Sequence, residues 1–222
     1  MREDMTKFLR QTFQIYKHKM LHDFIMLTLG GEIARRGFTF RPYYIFKEGL
    51  FDAQIQDYEI GIPDYQINFL THEDMTILDQ MDGRNLSALS LQDRLSKGHK
   101  CLGLRIDGNI TAFTWCQFDL FNFPAQKGFP LRENEAYLYD MYVFKASRGL
   151  NLASLLRNRC YKELALMGRT TLYSISDVLN KPSIRFKKKL DAKIVGFGLY
   201  IRIDKNRIGK NRWDVKLMIP GA

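Results

Sequence analysis

The hexapeptide Arg148-Gly-Leu-Asn-Leu-Ala153 follows a strand-like run, Glu135–Phe144, and opens a helical run, Ala153–Met167. A strand that ends in small residues and feeds a helix leaves unpaired backbone N–H groups at the positive end of the helix dipole. Such a corner is a seat for phosphate. Gly149 and Ala153 let the main chain approach a bulky anion, and Arg148 adds a guanidinium fork for phosphate oxygens. The competing reading is an ordinary strand–loop–helix connection.

The rest of the chain repeats an α/β order. Residues Arg2–Leu29 read as one amphipathic helix: Met5, Phe8, Leu9, Phe13, Tyr16, Met20, Phe24 and Leu27 recur at helical spacing, and Gly30-Gly31 ends the run. This helix packs on the main domain or on a second copy in a homodimer, or it lies on a membrane surface. His18 and His22 are one turn apart, but two candidate ligands without a third do not make a metal site. Phe38–Phe46 is aromatic and extended, with Pro42 permitting at most an edge strand. We take residues 1–61 as an N-terminal extension and 62–222 as the main domain. There, strands are expected at Tyr65–Leu70, Lys100–Ile106, Ile110–Leu120, Ala136–Phe144, Thr170–Ser176, Ile194–Ile203 and Trp213–Ile219. Helices are expected at Glu73–Met81 (N-cap Thr71), Ser87–Lys97, Ala153–Met167 and Pro182–Leu190. Asp107-Gly108 is a hairpin signal.

The run Tyr137–Leu156 resembles the acyl-CoA-binding motif of the GNAT N-acyltransferase superfamily, Gln/Arg-x-x-Gly-x-Gly/Ala. Here Arg148 holds the first position, Asn151 replaces the central Gly and Ala153 holds the last. Asn tolerates left-handed backbone better than most residues. A second block, Asn180–Ala192, resembles the family's later motif, an Asn followed by a short helix, and is similar to that of polyamine-type acetyltransferases. The resemblance implies a mixed, twisted central sheet flanked by helices, in which two neighbouring parallel strands splay apart to admit a pantetheine arm. Those strands would be Ala136–Phe144 and Thr170–Ser176.

It also implies a reaction: an acetyl group passes from acetyl-CoA directly to a small-molecule amine, with no metal. The attacking nitrogen must shed its proton, the thioester oxygen needs a donor, and the departing thiolate needs an acid. By resemblance the oxyanion donor is the main-chain N–H of Val143. Met141, Tyr142 and Val143 would bind the pantetheine amides. The amides of Arg148, Gly149, Leu150, Asn151, Leu152 and Ala153 would bind the pyrophosphate. Asn180 and Ser183 match positions that contact the coenzyme or brace a strand. Asp140 is the candidate base, with Glu135 in reserve; a structural carboxylate paired with a local Arg or Lys is the alternative. Tyr139 stands where polyamine-type relatives carry a second acid, and alternation puts it on the opposite face from Asp140. Lys187 stands at the family's general-acid Tyr. Either it steadies the thiolate or it is one more solvated charge in Arg185–Lys189.

The net charge of +10 favours an acidic partner, coenzyme A among them. The basic runs Arg185–Lys189 and Arg202–Arg212 are not interleaved with regularly spaced aromatics, which argues against nucleic acid. Cys101, Cys116 and Cys160 lack metal-ligand spacing and read as free thiols of a reducing cytoplasm. No run reaches the length of a membrane span. Two other functions stand beside the transferase: a GNAT module that binds CoA or a partner without catalysis, and an acyltransferase fed by an acidic carrier protein at a membrane surface. Acceptor loops are expected at Met81–Ser90 and Phe121–Glu133.

Overall fold

The computed structural model describes residues 38–49, 64–80, 87–121, 129–203 and 213–220, with backbone alone at 38–40, 200–203 and 213–220. The Arg2–Leu29 helix, His18, His22, the run Arg202–Arg212 except its first two residues, and most of both acceptor loops lie outside them.

Among the described residues, ten strands and four α-helices follow one another: β1 Phe38–Glu48, β2 Tyr65–Phe69, α1 His72–Gln80, α2 Ala88–Ser96, β3 Lys100–Ile106, β4 Asn109–Gln117, β5 Leu120–Phe121, β6 Phe129–Pro130, β7 Glu135–Val143, α3 Leu152–Leu166, β8 Thr171–Asp177, α4 Lys181–Lys189, β9 Lys193–Ile203 and β10 Trp213–Pro220. The chain divides into two compact units. In the smaller, strands run in the order β10-β9-β1. In the larger, the order is β1-β8-β7-β4-β3-β2, so the second half of β1 also has a neighbour. Pro42 therefore does not confine β1 to an edge. The proline lacks only its own N–H, while its carbonyl accepts the Val178 amide at 3.0 Å.

Antiparallel pairing links β2 to β3, β3 to β4 and β4 to β7, and β7 to β8 is parallel. This is the mixed sheet flanked by helices that the motifs imply. Asp107 and Gly108 take φ of 50° and 77°, the left-handed pair that a two-residue hairpin requires. Helix α1 begins where Asp74 accepts the Thr71 amide at 2.9 Å, and α2 where the Ser87 hydroxyl accepts the Ser90 amide at 3.3 Å.

Two cores cover the two sheet faces. Leu152, Leu155, Leu156, Cys160, Tyr161 and Leu164 of α3 pack on Leu102, Leu104, Ala112, Ala136, Leu138 and Leu172. On the other face Met75, Leu78 and Leu91 of α1 and α2 cover Cys101, Ile110, Phe113 and Trp115. All three cysteines are buried free thiols. No described helix is long and apolar enough to cross a membrane.

Candidate functional site

Strands β7 and β8 pair from Glu135↔Thr171 only as far as Leu138↔Ser174. Beyond that point β7 continues to Val143 and β8 to Asp177 without pairing to each other. The two strands thus open a gap in the middle of the larger unit. On its other edge β7 stays paired with β4, but with a bulge: Phe113↔Tyr142 and Trp115↔Tyr139 leave Thr114 opposite both Asp140 and Met141. Asp140 absorbs the extra residue at φ 47°.

The bulge decides where the main chain points. The Phe144 amide donates to the Thr111 carbonyl at 3.0 Å. In an antiparallel ladder, alternate residues turn their amides to opposite edges. The Val143 amide is therefore directed away from β4, towards the gap. The bulge also resets the side chains. Met141 and Val143 join Leu138 on the α3 face, while Tyr142 and Phe144 join Tyr139 on the other.

Simple alternation fails here, and the expected separation of Asp140 from Tyr139 is overturned. The Arg94 guanidinium reaches both: its Nη1 lies 2.6 Å from Asp140 Oδ2 and its centre lies 5.5 Å from the Tyr139 ring centroid. Tyr139 stacks on Tyr137 with centroids 5.7 Å apart, and its hydroxyl is 2.5 Å from His99 Nδ1. Burial raises the Tyr139 phenol and lowers the His99 imidazole. Of the two readings of Asp140, the ion pair with a local Arg is present. Glu135 accepts the Arg132 amide at 3.0 Å.

After β7, a short 3₁₀ turn at Lys145–Ser147 leads through Arg148 to α3. Asn151 sits at φ 57°, ψ 16°, the left-handed conformation for which Asn is suited. Gly149 has φ 92°, and a Cβ there would meet no protein atom within 4 Å, so the glycine answers a backbone demand and not a packing one. Arg148 folds back: its Nε donates to the Val143 carbonyl at 3.1 Å, and its guanidinium lies 5.5 Å from the Tyr142 ring centroid. Lys189 at the end of α4 donates to the Asn151 side chain at 3.0 Å. Asn180 caps α4 by accepting the Ser183 amide at 3.1 Å. The Ser183 hydroxyl meets that of Ser176 on β8 at 2.8 Å, a brace between helix and strand.

On the α3 side of the gap lies a fully buried charge cluster. Glu48 of β1 accepts the hydroxyls of Tyr161, at 2.6 Å, and of Ser174. Arg157 Nε is 3.5 Å and Lys187 Nζ 3.7 Å from its carboxylate. Lys187 Nζ also donates to the Ile175 carbonyl at 2.8 Å and lies 4.8 Å from the Phe46 ring centroid. The solvated reading of Lys187 is thereby overturned: of the run Arg185–Lys189, this side chain alone is buried, at 3 % exposure. Burial lowers its pKa to about 8, with Glu48 opposing and Arg157 assisting the fall. Burial alone would raise the Glu48 carboxyl, but Arg157, Lys187, Ser174 and Tyr161 outweigh it and hold the group below its ordinary range.

The sequence profile of the acetyltransferase (GNAT) family matches residues 65–192. The chain belongs to that family. No curated protein matches it. Solved structures share the GNAT fold at low identity. A Drosophila protein superposes with a TM-score of 0.54 at 17 % identity, over 82 % of this chain and 58 % of its own. A tandem GNAT protein of the clavulanic acid biosynthesis pathway gives 0.54 at 13 % identity, over 85 % and 57 %. A GNAT-family protein from Novosphingobium aromaticivorans, described as an acetyltransferase, gives 0.50 at 18 % identity, over 73 % and 65 %. The chain thus spans less than two thirds of each of these three structures.

Within this GNAT fold, Met141, Tyr142 and Val143 lie on the part of β7 that no longer pairs with β8, and Arg148 through Ala153 form the corner into α3. Asn180 and Ser183 anchor α4. No motif in the sequence marks Glu48 or Arg157. A signal existed for both: Glu48 is in phase with Tyr44 and Phe46 on a period-two strand, and Arg157 shares the apolar face of α3 with Cys160, Tyr161 and Leu164. Charges in apolar phase are costly unless paired.

Proposed function

We propose that this GNAT protein is an acyl-CoA-dependent N-acyltransferase that moves an acetyl group from acetyl-CoA to an amine. The observation that carries the reading is the gap beyond Leu138 and Ser174, bordered by a main-chain amide directed into it. In this reading the pantetheine arm lies against Met141, Tyr142 and Val143, and the pyrophosphate against the amides of Arg148 to Ala153. The left-handed Asn151 and Gly149 support that placement, because they turn the chain into α3, whose first amides have no acceptor in its own ladder.

The amine nitrogen attacks the thioester carbon. The carbonyl electrons move onto oxygen, where the Val143 N–H stabilises them; one such donor contributes roughly 10²–10³ in rate. The amine proton passes to Asp140; Glu135, the reserve candidate, sits at the paired end of β7 opposite Thr171, away from the gap. As the C–S bond breaks, its electron pair stays on sulfur, and the Lys187 ammonium supplies the proton that completes the free thiol. Titration calorimetry of the whole chain with acetyl-CoA tests the reading. Binding at micromolar to low-millimolar ligand is expected, and no heat at millimolar ligand would remove it.

The ion pair of Asp140 with Arg94 favours a second reading, a GNAT module that binds CoA without catalysis. It predicts CoA binding with no thiol release across a broad amine panel. Turnover abolished by Asp140→Asn would defeat it.

A further inference from the structure

We propose that Glu48 is a positioning residue for this transfer: it holds Lys187 as an ammonium where the β7–β8 gap begins, to serve the departing thiolate. The proposal rests on the transferase reading and assigns a role to a residue outside the family-matched segment.

The geometry places the cluster at the point where the strands part. Ser174, whose hydroxyl goes to Glu48, is the last β8 residue paired with β7, and Ile175, whose carbonyl takes Lys187, is the next. Every element packed on Lys187 contributes to its charge state. From β1 come the Glu48 carboxylate and the Phe46 ring; from α3, the Arg157 guanidinium and the Tyr161 phenol; from β8, the Ser174 hydroxyl and the Ile175 carbonyl. Among these, Glu48 is the one anion.

One carboxylate therefore faces two buried cations. A purely structural pair would be balanced, and it would match the guanidinium fork to the carboxylate. Here Arg157 Nε and Nη1 have no hydrogen-bond partner among the described residues, and the Glu48 oxygens take two hydroxyls instead. An excess buried cation costs stability, and fold-destabilising arrangements of this sort concentrate at functional sites. Burial and Arg157 both push Lys187 towards the neutral amine, and Glu48 alone pulls back. Without Glu48 nothing in the cluster would oppose loss of the Lys187 proton, and less ammonium would be on hand to protonate sulfur. With it, the ammonium loses its proton to the thiolate, then regains one from solvent.

Two readouts test this on the intact chain without knowledge of the acceptor. Lysine ε-carbon NMR follows the Lys187 amine, assigned with Lys187→Met. Ultraviolet titration follows the thiol of bound CoA. In the wild type the bound thiol should ionise below the ~8.5 of a comparable free thiol. In Glu48→Gln the Lys187 midpoint should fall by about one unit or more, and the bound thiol should return towards its free value. CoA affinity should change only a few-fold. Glu48→Asp should restore most of both, and if the Gln variant does not fold, the Asp variant should still shift both midpoints in the same senses by less. An unchanged Lys187 midpoint overturns the proposal. So does a shifted Lys187 midpoint that leaves the bound thiol where it was. Absence of CoA binding to the wild type overturns the transferase reading and the catalytic use of the charge together, while the Lys187 titration, which needs no ligand, reports on Glu48 separately.

Discussion

Two ion groups are buried against the sheet, one on β7 and one between β1 and β8, and they are built differently. On the α2 face, Arg94 and Asp140 are one cation and one anion at 2.6 Å, both with some access to water. On the α3 face, Glu48, Arg157 and Lys187 are two cations to one anion, almost wholly dry and at 3.5 and 3.7 Å. The first group is balanced and pins α2 to the bulge. The second is unbalanced, and burial leaves its lysine with a pKa of about 8. A charge excess that packing does not need is the better guide to chemistry than a tidy pair.

Breaking each group separately should expose this difference. Glu48→Leu leaves two buried cations unopposed and should cost about 3–5 kcal/mol in urea unfolding. Asp140→Asn keeps a residue tolerant of φ 47° and leaves Arg94 partly solvated, so it should cost only about 1 kcal/mol. Equal losses would erase the contrast.

Val143→Pro probes the strand between the two faces. Because its amide turns from β4, the substitution removes no β4–β7 ladder bond. Thiol release should fall roughly 10²-fold while acetyl-CoA affinity changes only a few-fold. Unaltered turnover would deny the amide a role.

The unbalanced group should also show in the pH dependence of stability. The folded Lys187 pKa, about 8, lies below the ordinary 10.5. Between those values the unfolded chain keeps a proton that the folded chain has shed, so this group's contribution rises with pH across the window, and its full penalty is present below it. Urea midpoints of the wild type, measured relative to Lys187→Met from pH 7.5 to 10, should rise. No relative rise would place Lys187 in water.

The corner into α3 should respond independently of both ion groups. Gly149→Ala meets open space but forces φ 92° on a side chain, at about 1–2 kcal/mol. Acetyl-CoA affinity should drop while both ion groups stay intact.

Much of this was legible. Period-two and helical patterns placed β2, β3, β7, β8 and α1 to α4 within a few residues, since local alternation and capping dictate them. The left-handed Asn151 followed from its side chain. Other features depended on pairing that no local pattern encodes. The bulge at Asp140 appears only when β7 is set against β4, and it moved Tyr139 to the same guanidinium as Asp140. Pro42 marks an edge only if its missing amide would face a neighbour. Glu48 was hidden because its partners lie 109, 126 and 139 positions away, at Arg157, Ser174 and Lys187 (157 − 48, 174 − 48, 187 − 48).

Amide hydrogen exchange at Val143, with and without saturating CoA, tests the gap itself. Phe144, whose amide is bound to Thr111 at 3.0 Å, serves as the internal reference. Val143 should exchange faster than Phe144 in the free protein and become protected when CoA binds. A Val143 amide as protected as Phe144 without ligand, or one that CoA leaves unchanged at saturation, would contradict it.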